Sequence, residues 1–177
     1  MIDFEKIIQV KLTKDDFIKL PSKNHFKMIF LDKKNYVEYA PEIQKIISCI
    51  KKDLPNWTNN PNYETIVERF NSDSHCLLFY YMDICIGWNW GNKNITLDWI
   101  NIHQELDEGE LYVGGCFVTR SIYRPNDAGL YDYNMMCDYW LNNLKYRHIY
   151  GYIDSWNKAS IRVSLQTGFK FHKYFLN

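Results

Sequence analysis

The chain has 177 residues, 46% of them hydrophobic and 17% aromatic, so it can bury a core of single-domain size. Lys plus Arg and Asp plus Glu both number 21, and a formal net charge of zero leaves no overall positive field to attract nucleic acid or an anionic membrane. The five cysteines form no Cys-x-x-Cys pair, which excludes a disulfide framework and a zinc site and indicates reduced thiols. We therefore expect a cytoplasmic monomer or homodimer that binds neither nucleic acid, membrane nor metal.

In the first 70 residues, the pattern of apolar side chains predicts two helices and one short strand. Residues 1–24 are interpreted as a loosely attached segment, and the apolar run 28–31 as a short strand. Apolar residues recur with a helical period over 39–50, and a second helix is predicted over 63–70. The Asn-rich stretch 56–62 between them predicts a loop.

Strand signals dominate the middle of the chain. The apolar and aromatic runs 76–82 and 84–90 predict a hairpin, and residues 95–102 are expected to extend the same sheet. Residues 111–119 predict another strand, in which Gly114-Gly115 indicates a bulge or a close approach of two backbones. Cys116 in this strand is interpreted as a buried thiol.

The last third alternates helices and strands. A helical face runs over 129–144, a strand follows at 148–153, and Asn157 is a natural N-cap for a helix that ends at Gly168. Residues 169–175 predict the final strand. This order predicts an α/β (α+β) fold, a mixed central sheet flanked by helices.

Two segments of this last part have the residue types of a phosphate and cofactor site. The polar turn 123–129 leads directly into a helix N-terminus, whose unpaired N–H groups and positive dipole end bind phosphate oxygens, and Arg124 adds a cation. About thirty residues later come Asn157 and Ser160, followed by Gly168-Phe169. Each segment alone is a weak signal, since most such junctions bind nothing.

Together the two segments resemble those of the GNAT superfamily of N-acetyltransferases. That family carries an Arg/Gln-x-x-Gly-x-Gly/Ala turn between a strand and a helix, and here Arg124, Asp127 and Gly129 fall on its three marked positions. The family's second segment, Asn-x-x-Ser/Ala…Gly-Phe, matches residues 157–169. The resemblance covers roughly residues 74–175.

The resemblance implies a single acetyltransferase domain over 1–177, with 1–73 on the acceptor side and 74–177 as the cofactor-binding core. It implies acetyl-CoA as the co-substrate and a small-molecule amine as the acceptor, attacked through a tetrahedral intermediate. The thioester carbonyl would be polarised by backbone N–H groups near Phe117, Val118 and Thr119. The pyrophosphate would be held by Arg124, Pro125, Asn126, Asp127, Ala128 and Gly129, and the remaining cofactor contacts would come from Asn157 and Ser160.

Asp127 departs from the family pattern, which prefers glycine at this position. Aspartate tolerates left-handed backbone geometry, so the turn can survive. Its carboxylate would repel a pyrophosphate unless the side chain points away or caps the helix.

Two residues are predicted to be catalytic. Glu110 is the best base in the sequence, since family members often carry a carboxylate at the start of this strand, although a solvated loop acid is the favoured interpretation. Ser164 stands seven residues after Asn157, where many family members place a tyrosine that protonates the departing thiolate. A serine hydroxyl is a poor acid, so water or a tyrosine such as Tyr152 is the alternative donor.

The acceptor expected first is an amino sugar, including a nucleotide-linked one. The segment Asn-x-x-Ser-Ile without a following tyrosine resembles those of sugar N-acetyltransferases. The alternatives are a non-catalytic acyl-CoA-binding domain and an enzyme acting on a protein or peptide amine. Trp88, Trp90 and Trp99 could stack on a sugar or a base, but filling of the sheet core is the favoured interpretation.

Overall fold

A computed structural model describes residues 6–55, 61–97 and 101–176. The described strands are β1 (Lys6–Thr13), β2 (Phe26–Leu31), β3 (His75–Tyr81), β4 (Ile84–Asn92), β5 (Asn94–Leu97), β6 (Ile102–Glu105), β7 (Glu110–Val118), β8 (His148–Asp154) and β9 (Lys170–Leu176). The α-helices are α1 (Ala40–Asp53), α2 (Tyr63–Asn71), α3 (Ala128–Asp138) and α4 (Lys158–Thr167). A 3₁₀ turn, Tyr36–Tyr39, precedes α1, and a π-helix, Tyr139–Asn143, follows α3. None of the described helices has the length and hydropathy to cross a bilayer.

Seven strands form one mixed sheet in the order β2-β3-β4-β7-β8-β1-β9. Strands β7 and β8 are parallel, whereas β8 with β1, β1 with β9, β2 with β3 and β3 with β4 are antiparallel. The predicted α/β class with a mixed central sheet is confirmed.

The chain divides into two compact units. The first contains Met1–Pro21, Asn92–Gly114 and Gly129–Asn177, and the second contains Ser22–Gly91 and Gly115–Ala128. Strand β7 changes unit between Gly114 and Gly115. The proposed partition into residues 1–73 and 74–177 stays a prediction.

The core of the second unit lies where α1 and α2 pack on its strands. The helical period of α1 buries isoleucines at 43, 46, 47 and 50, and α2 adds Ile66 and Phe70. These side chains pack with Leu78 of β3 and with Trp88 and Trp90 of β4. The interpretation of these two tryptophans as core residues is therefore confirmed, while Trp99 lies outside the described residues.

The N-terminal segment is not loosely attached, and that prediction is wrong. Residues Lys6–Thr13 form β1, which pairs with β8 on one side and β9 on the other. Both faces of β1 are covered, since Ile8, Val10 and Leu12 are buried on one face and Ile7 and Gln9 on the other. The alternation of charged and apolar residues in this segment is the period of a β-strand. That the strand lies inside the sheet depends on its pairing with β8 and β9, which come far later in the chain.

Two further sequence interpretations change. The described part of the predicted segment 95–102 does not extend the main sheet, because β5 and β6 pair only with each other among the described strands. Part of the predicted 56–62 loop lies outside the described residues, as do residues 98–100. Cys116 is exposed rather than buried, because the burial alternation of β7 breaks at Gly115.

Candidate functional site

Strand β7 leaves its parallel partner halfway along its length. The β7–β8 ladder begins at Glu110↔His148 and ends at Val113↔Gly151, whereas β8 continues to pair with β1 as far as Asp154. Gly115 follows with a φ of 67°, a left-handed conformation that glycine adopts without a steric penalty. Gly115 thus follows the point where β7 ends its pairing with β8, while the predicted bulge or close backbone approach at Gly114-Gly115 stays a prediction.

The other edge of β7 stays against β4. The backbone N–H of Thr119 donates to the carbonyl of Ile86 at 2.8 Å. A Cβ atom at Gly87 would lie 2.4 Å from the backbone oxygen of Phe117, so only glycine fits in β4 at this point. This close approach holds the second half of β7 in place.

The three predicted thioester contacts differ in the availability of their N–H groups. The N–H of Thr119 is bonded to β4, and its side chain is fully buried. Successive N–H groups of an extended strand point to opposite edges, so that of Val118 points away from β4. Val118 is therefore the best placed of the three, and its contact with the thioester stays a prediction.

Asp53, the last residue of α1, anchors the turn that follows β7. Its carboxylate accepts hydrogen bonds from the Thr119 hydroxyl at 2.7 Å, the backbone N–H of Arg120 at 2.7 Å, and both the backbone N–H and the hydroxyl of Ser121. Burial raises the pKa of this carboxyl, but these hydrogen bonds outweigh it and lower the pKa from 3.8 to about 2. Sequence reasoning missed Asp53. Its signal was an acid in the last turn of a helix, where the helix dipole disfavours negative charge.

Arg124 braces the same turn from within. Its Nε donates to the backbone oxygen of Thr119 at 2.7 Å, and one Nη donates to that of Pro125 at 3.4 Å. These bonds use two of the five donors of a guanidinium group. Arg124 therefore shapes the turn, while its predicted contact with a phosphate stays a prediction.

The carboxylate of Asp127 is neutralised by a lysine. Lys23 forms an ion pair with it, and both side chains are about one-third exposed (35% and 39%). The hydrogen bond from Lys23 is the largest cause that holds the pKa of Asp127 below its usual value. The repulsion expected between Asp127 and a pyrophosphate is thus offset by a cation 104 residues away in sequence, which sequence reasoning missed.

Helix α3 begins at Ala128 with open space above its first turn. Ala128 is buried, and its N–H donates to the oxygen of Pro125 at 3.0 Å, a bond that bridges Asn126 and Asp127. No atom of the described residues beyond the local chain lies within 4 Å of a Cβ placed on Gly129. The first N–H groups of a helix lack intrahelical partners and carry a partial positive charge. The turn from Thr119 to Gly129, hereafter the braced turn, therefore ends in an accessible anion-binding geometry.

The second predicted segment folds as expected. The side-chain oxygen of Asn157 accepts from the backbone N–H of Ser160 at 3.2 Å and caps α4. Gly168 ends α4 with a φ of 103°, and a Cβ there would lie 2.0 Å from the backbone oxygen of Asp16. Asn157 and Gly168 are thus explained by folding, and contacts of Asn157 or Ser160 with a cofactor stay predictions.

Glu110 is not a solvated loop acid, so that favoured interpretation is wrong. Its side chain is 12% exposed, and its Oε1 lies 3.0 Å from Nδ1 of His148 and accepts from the Tyr150 hydroxyl at 2.9 Å. Burial raises the pKa of Glu110, but these hydrogen bonds outweigh it and lower the pKa below its usual value. A carboxylate held in this way is a weak base, and its catalytic role stays a prediction.

The two predicted proton donors lie in different surroundings. Ser164 is fully buried in α4, and its hydroxyl has no hydrogen-bond partner within the described part of the chain. Tyr152 follows the last β7–β8 pair by one residue, and its hydroxyl accepts from Nε2 of Gln9 at 2.6 Å. Burial raises the pKa of Tyr152 above its usual value, which makes the phenol a weaker acid than that of an exposed tyrosine.

Comparison with known proteins gives matches among solved structures only. No protein-family model matches the chain, and no curated protein does. A GCN5-related N-acetyltransferase from Sphaerobacter thermophilus is 12% identical, with 98% of this chain and 50% of that chain covered and a TM-score of 0.66. A tandem GNAT protein from the clavulanic acid biosynthesis pathway is also 12% identical, with 98% and 52% covered and a TM-score of 0.64.

A third structure contains a GCN5-related glucosamine N-acetyltransferase region of a fungal multi-domain GH3 β-N-acetylglucosaminidase. It is 10% identical, with 97% of this chain and 20% of that chain covered and a TM-score of 0.62. The chain spans 48% to 60% of the length of several other solved chains that it matches. At such low identity the likeness concerns the fold, and the chain has the GNAT acetyltransferase fold.

Proposed function

We propose that the protein is an acetyl-CoA-dependent N-acetyltransferase that acts on a primary amine of a small molecule. The observation that carries the proposal is the braced turn. Asp53 and Arg124 hold its backbone, Lys23 offsets the charge of Asp127, and the space above Gly129 is open. A side chain at Gly129 would fill the space that a phosphate of the cofactor needs, so the residues present fit a CoA pyrophosphate.

Acetyl-CoA supplies a thioester whose acetyl group an amine can accept. The braced turn binds and orients its pyrophosphate, and the N–H of Val118 donates a hydrogen bond toward the carbonyl oxygen. Tyr152 is the better of the two candidate acids for the thiolate, because a phenol is a stronger acid than a serine hydroxyl and Tyr152 is only partly buried, whereas Ser164 is fully buried.

The acceptor we propose is an amino sugar or a nucleotide-linked amino sugar. Glu110 is held ionised by His148 and Tyr150, so the best base candidate among the described residues is a weak one for deprotonating an amine. A lysine amine has a pKa of about 10.4, whereas less basic amines, with a pKa near or below about 8, are already partly neutral at pH 7. The structurally similar fungal region is described as a glucosamine N-acetyltransferase, which supports the same class.

The test is release of free thiol from acetyl-CoA with glucosamine, a lysine peptide and a polyamine at pH 6.5 and 8.5. We expect the amino sugar to react fastest, with a rate that rises along the titration of its own amine, and Glu110→Gln to change that rate only about two-fold. A clear preference for the lysine peptide would refute the acceptor class. Absence of thiol release with every amine would refute the enzyme proposal.

A second candidate is a non-catalytic acyl-CoA-binding domain. It is favoured by Ser164, which stands where many GNAT proteins carry the tyrosine acid and whose hydroxyl is buried. In that case acetyl-CoA would raise the melting temperature without release of thiol from any amine in the panel.

A further inference from the structure

A cavity of about 340 Å³ lies in the first unit, at the N-terminal end of β8. One wall comes from the end of β1, where Thr13 pairs with His148, and from Lys14 and Asp15 directly after it. The other wall comes from 145–147, the connection between the π-helix and β8. We call this cavity the basic pocket. None of its lining residues belongs to the braced turn.

The basic pocket concentrates positive charge in a chain whose net charge is zero. Lys14, Lys145 and Arg147 line it, against one carboxylate, Asp15. None of these three cations forms a salt bridge with any residue in the described ranges, although Lys19 does so with Asp138 in the same unit. Within the pocket three cations face one carboxylate, so its lining favours an anion, although Lys145 also lines the neighbouring cavity that contains Asp107, Glu108 and Glu110.

Arg147 is anchored without loss of its charge. One of its Nη atoms donates to the backbone oxygen of Glu108, a neutral acceptor. Its own backbone N–H donates to the oxygen of Gly109 at 2.7 Å. A guanidinium group fixed in this way keeps donors for a tetrahedral oxyanion, which its planar fork can bind through two oxygens.

Lys145 provides an independent observation, because its backbone is left-handed with a φ of 63°. It lies just after the π-helix, between Leu144, whose N–H bonds to the oxygen of Tyr139, and Tyr146, whose N–H bonds to the oxygen of Trp140 at 3.0 Å. Glycine is the usual residue at such a helix end, since it adopts this conformation without a steric penalty. A lysine here carries a backbone cost that glycine would not, although its charge is favoured by the dipole at a helix C-terminus.

We propose that the basic pocket binds the phosphate group of a small phosphorylated metabolite. Lys14, Lys145 and Arg147 surround the phosphate, and the half-buried ring of Tyr146 packs against its carbon skeleton. The volume lies within the range of small-molecule sites, about 300 to 1,000 Å³. This site is independent of the proposed acetyl transfer.

The test is a titration of the full chain with inorganic phosphate, followed by ³¹P NMR at constant ionic strength. Lys145→Gly should weaken phosphate binding at least about ten-fold, the loss expected for a charged hydrogen bond, and should keep or raise the melting temperature. Lys14→Ala should weaken binding in the same direction. Lys52→Ala, which removes a lysine from the last turn of α1, should change the Kd less than about two-fold.

Gly129→Val separates the two sites: it should abolish only phosphate bound at the braced turn, and it should leave unchanged the phosphate binding that Lys145→Gly and Lys14→Ala weaken. If Lys145→Gly binds phosphate as well as the wild type, or Lys52→Ala weakens it equally, the proposal is overturned. Loss of binding in Gly129→Val alone would assign the phosphate to the braced turn and would also overturn it.

Discussion

Replacement of Gly129 should affect folding and cofactor binding in opposite directions. No described atom beyond the local chain lies within 4 Å of a Cβ at this position, so Gly129→Ala meets no steric obstacle. Within a helix, alanine is favoured over glycine by about 0.5–1 kcal/mol. Because Gly129 lies in the first turn of α3, we expect the free energy of unfolding to rise by at most about 1 kcal/mol. In a chain of this size this corresponds to about 2–4 °C in Tm.

Substitution of Gly129 should also weaken the binding of acetyl-CoA. An added side chain occupies the space above the first N–H groups of α3, and Gly129→Val fills more of it than Gly129→Ala. We expect the Kd for acetyl-CoA to rise at least about ten-fold in Gly129→Val, or about 1.4 kcal/mol. The assay is the Tm as a function of acetyl-CoA concentration. A ligand at about 100 times its Kd stabilises the wild type by about 2.7 kcal/mol, and the variant should lose about half of that.

Gly87→Ala is the matched control. The same methyl group there would lie 2.4 Å from the backbone oxygen of Phe117 and 3.2 Å from the Cα of Val118, so it should destabilise the protein by about 1–3 kcal/mol. If Gly129→Val is folded and binds acetyl-CoA like the wild type, the braced turn does not hold the pyrophosphate. If Gly129→Ala is clearly less stable than the wild type, the space above α3 is not open.

Three further predictions test the surroundings of the braced turn and the buried serine. Asp53→Asn should lower the Tm at neutral pH because two backbone N–H groups and two hydroxyls lose a charged acceptor. The pKa of Asp53 is lowered from 3.8 to about 2 in the folded protein, so its contribution is complete above pH 3.8 and lost as the pH falls toward 2. The gap between wild type and variant should therefore close over this range in pH-dependent melting, and a constant gap would contradict the assignment. Lys23→Ala should weaken acetyl-CoA binding several-fold by exposing the charge of Asp127, and adding Asp127→Asn should restore it; a double variant no better than Lys23→Ala would show that the charge is irrelevant. Ser164→Ala should leave turnover nearly unchanged and raise stability by up to about 1 kcal/mol, since it removes a buried hydroxyl that has no partner among the described residues, whereas a thousand-fold loss of kcat would make Ser164 the acid.

The sequence by itself determined the elements whose signals are local. The isoleucine period predicted α1, Asn157 and Gly168 predicted both ends of α4, and the paired aromatic runs predicted the β3–β4 hairpin. Each of these signals lies within one helix or one strand pair, where backbone hydrogen bonding and burial of one face depend on near neighbours. The turn before α3 was also recognisable, because polar residues and a glycine ran directly into a helical period.

Only the tertiary structure decided which distant groups complete these elements. It inserted β1 between β8 and β9, placed Asp53 on the N–H groups after β7, and paired Lys23 with Asp127. It also placed Glu110 against His148 and Tyr150, where its carboxylate is largely buried. The residues joined by these side-chain contacts lie 38 to 104 positions apart in the chain. No periodicity or capping rule links positions so far apart, because their contact depends on the order in which strands join the sheet, and that order is set by the packing of the whole core.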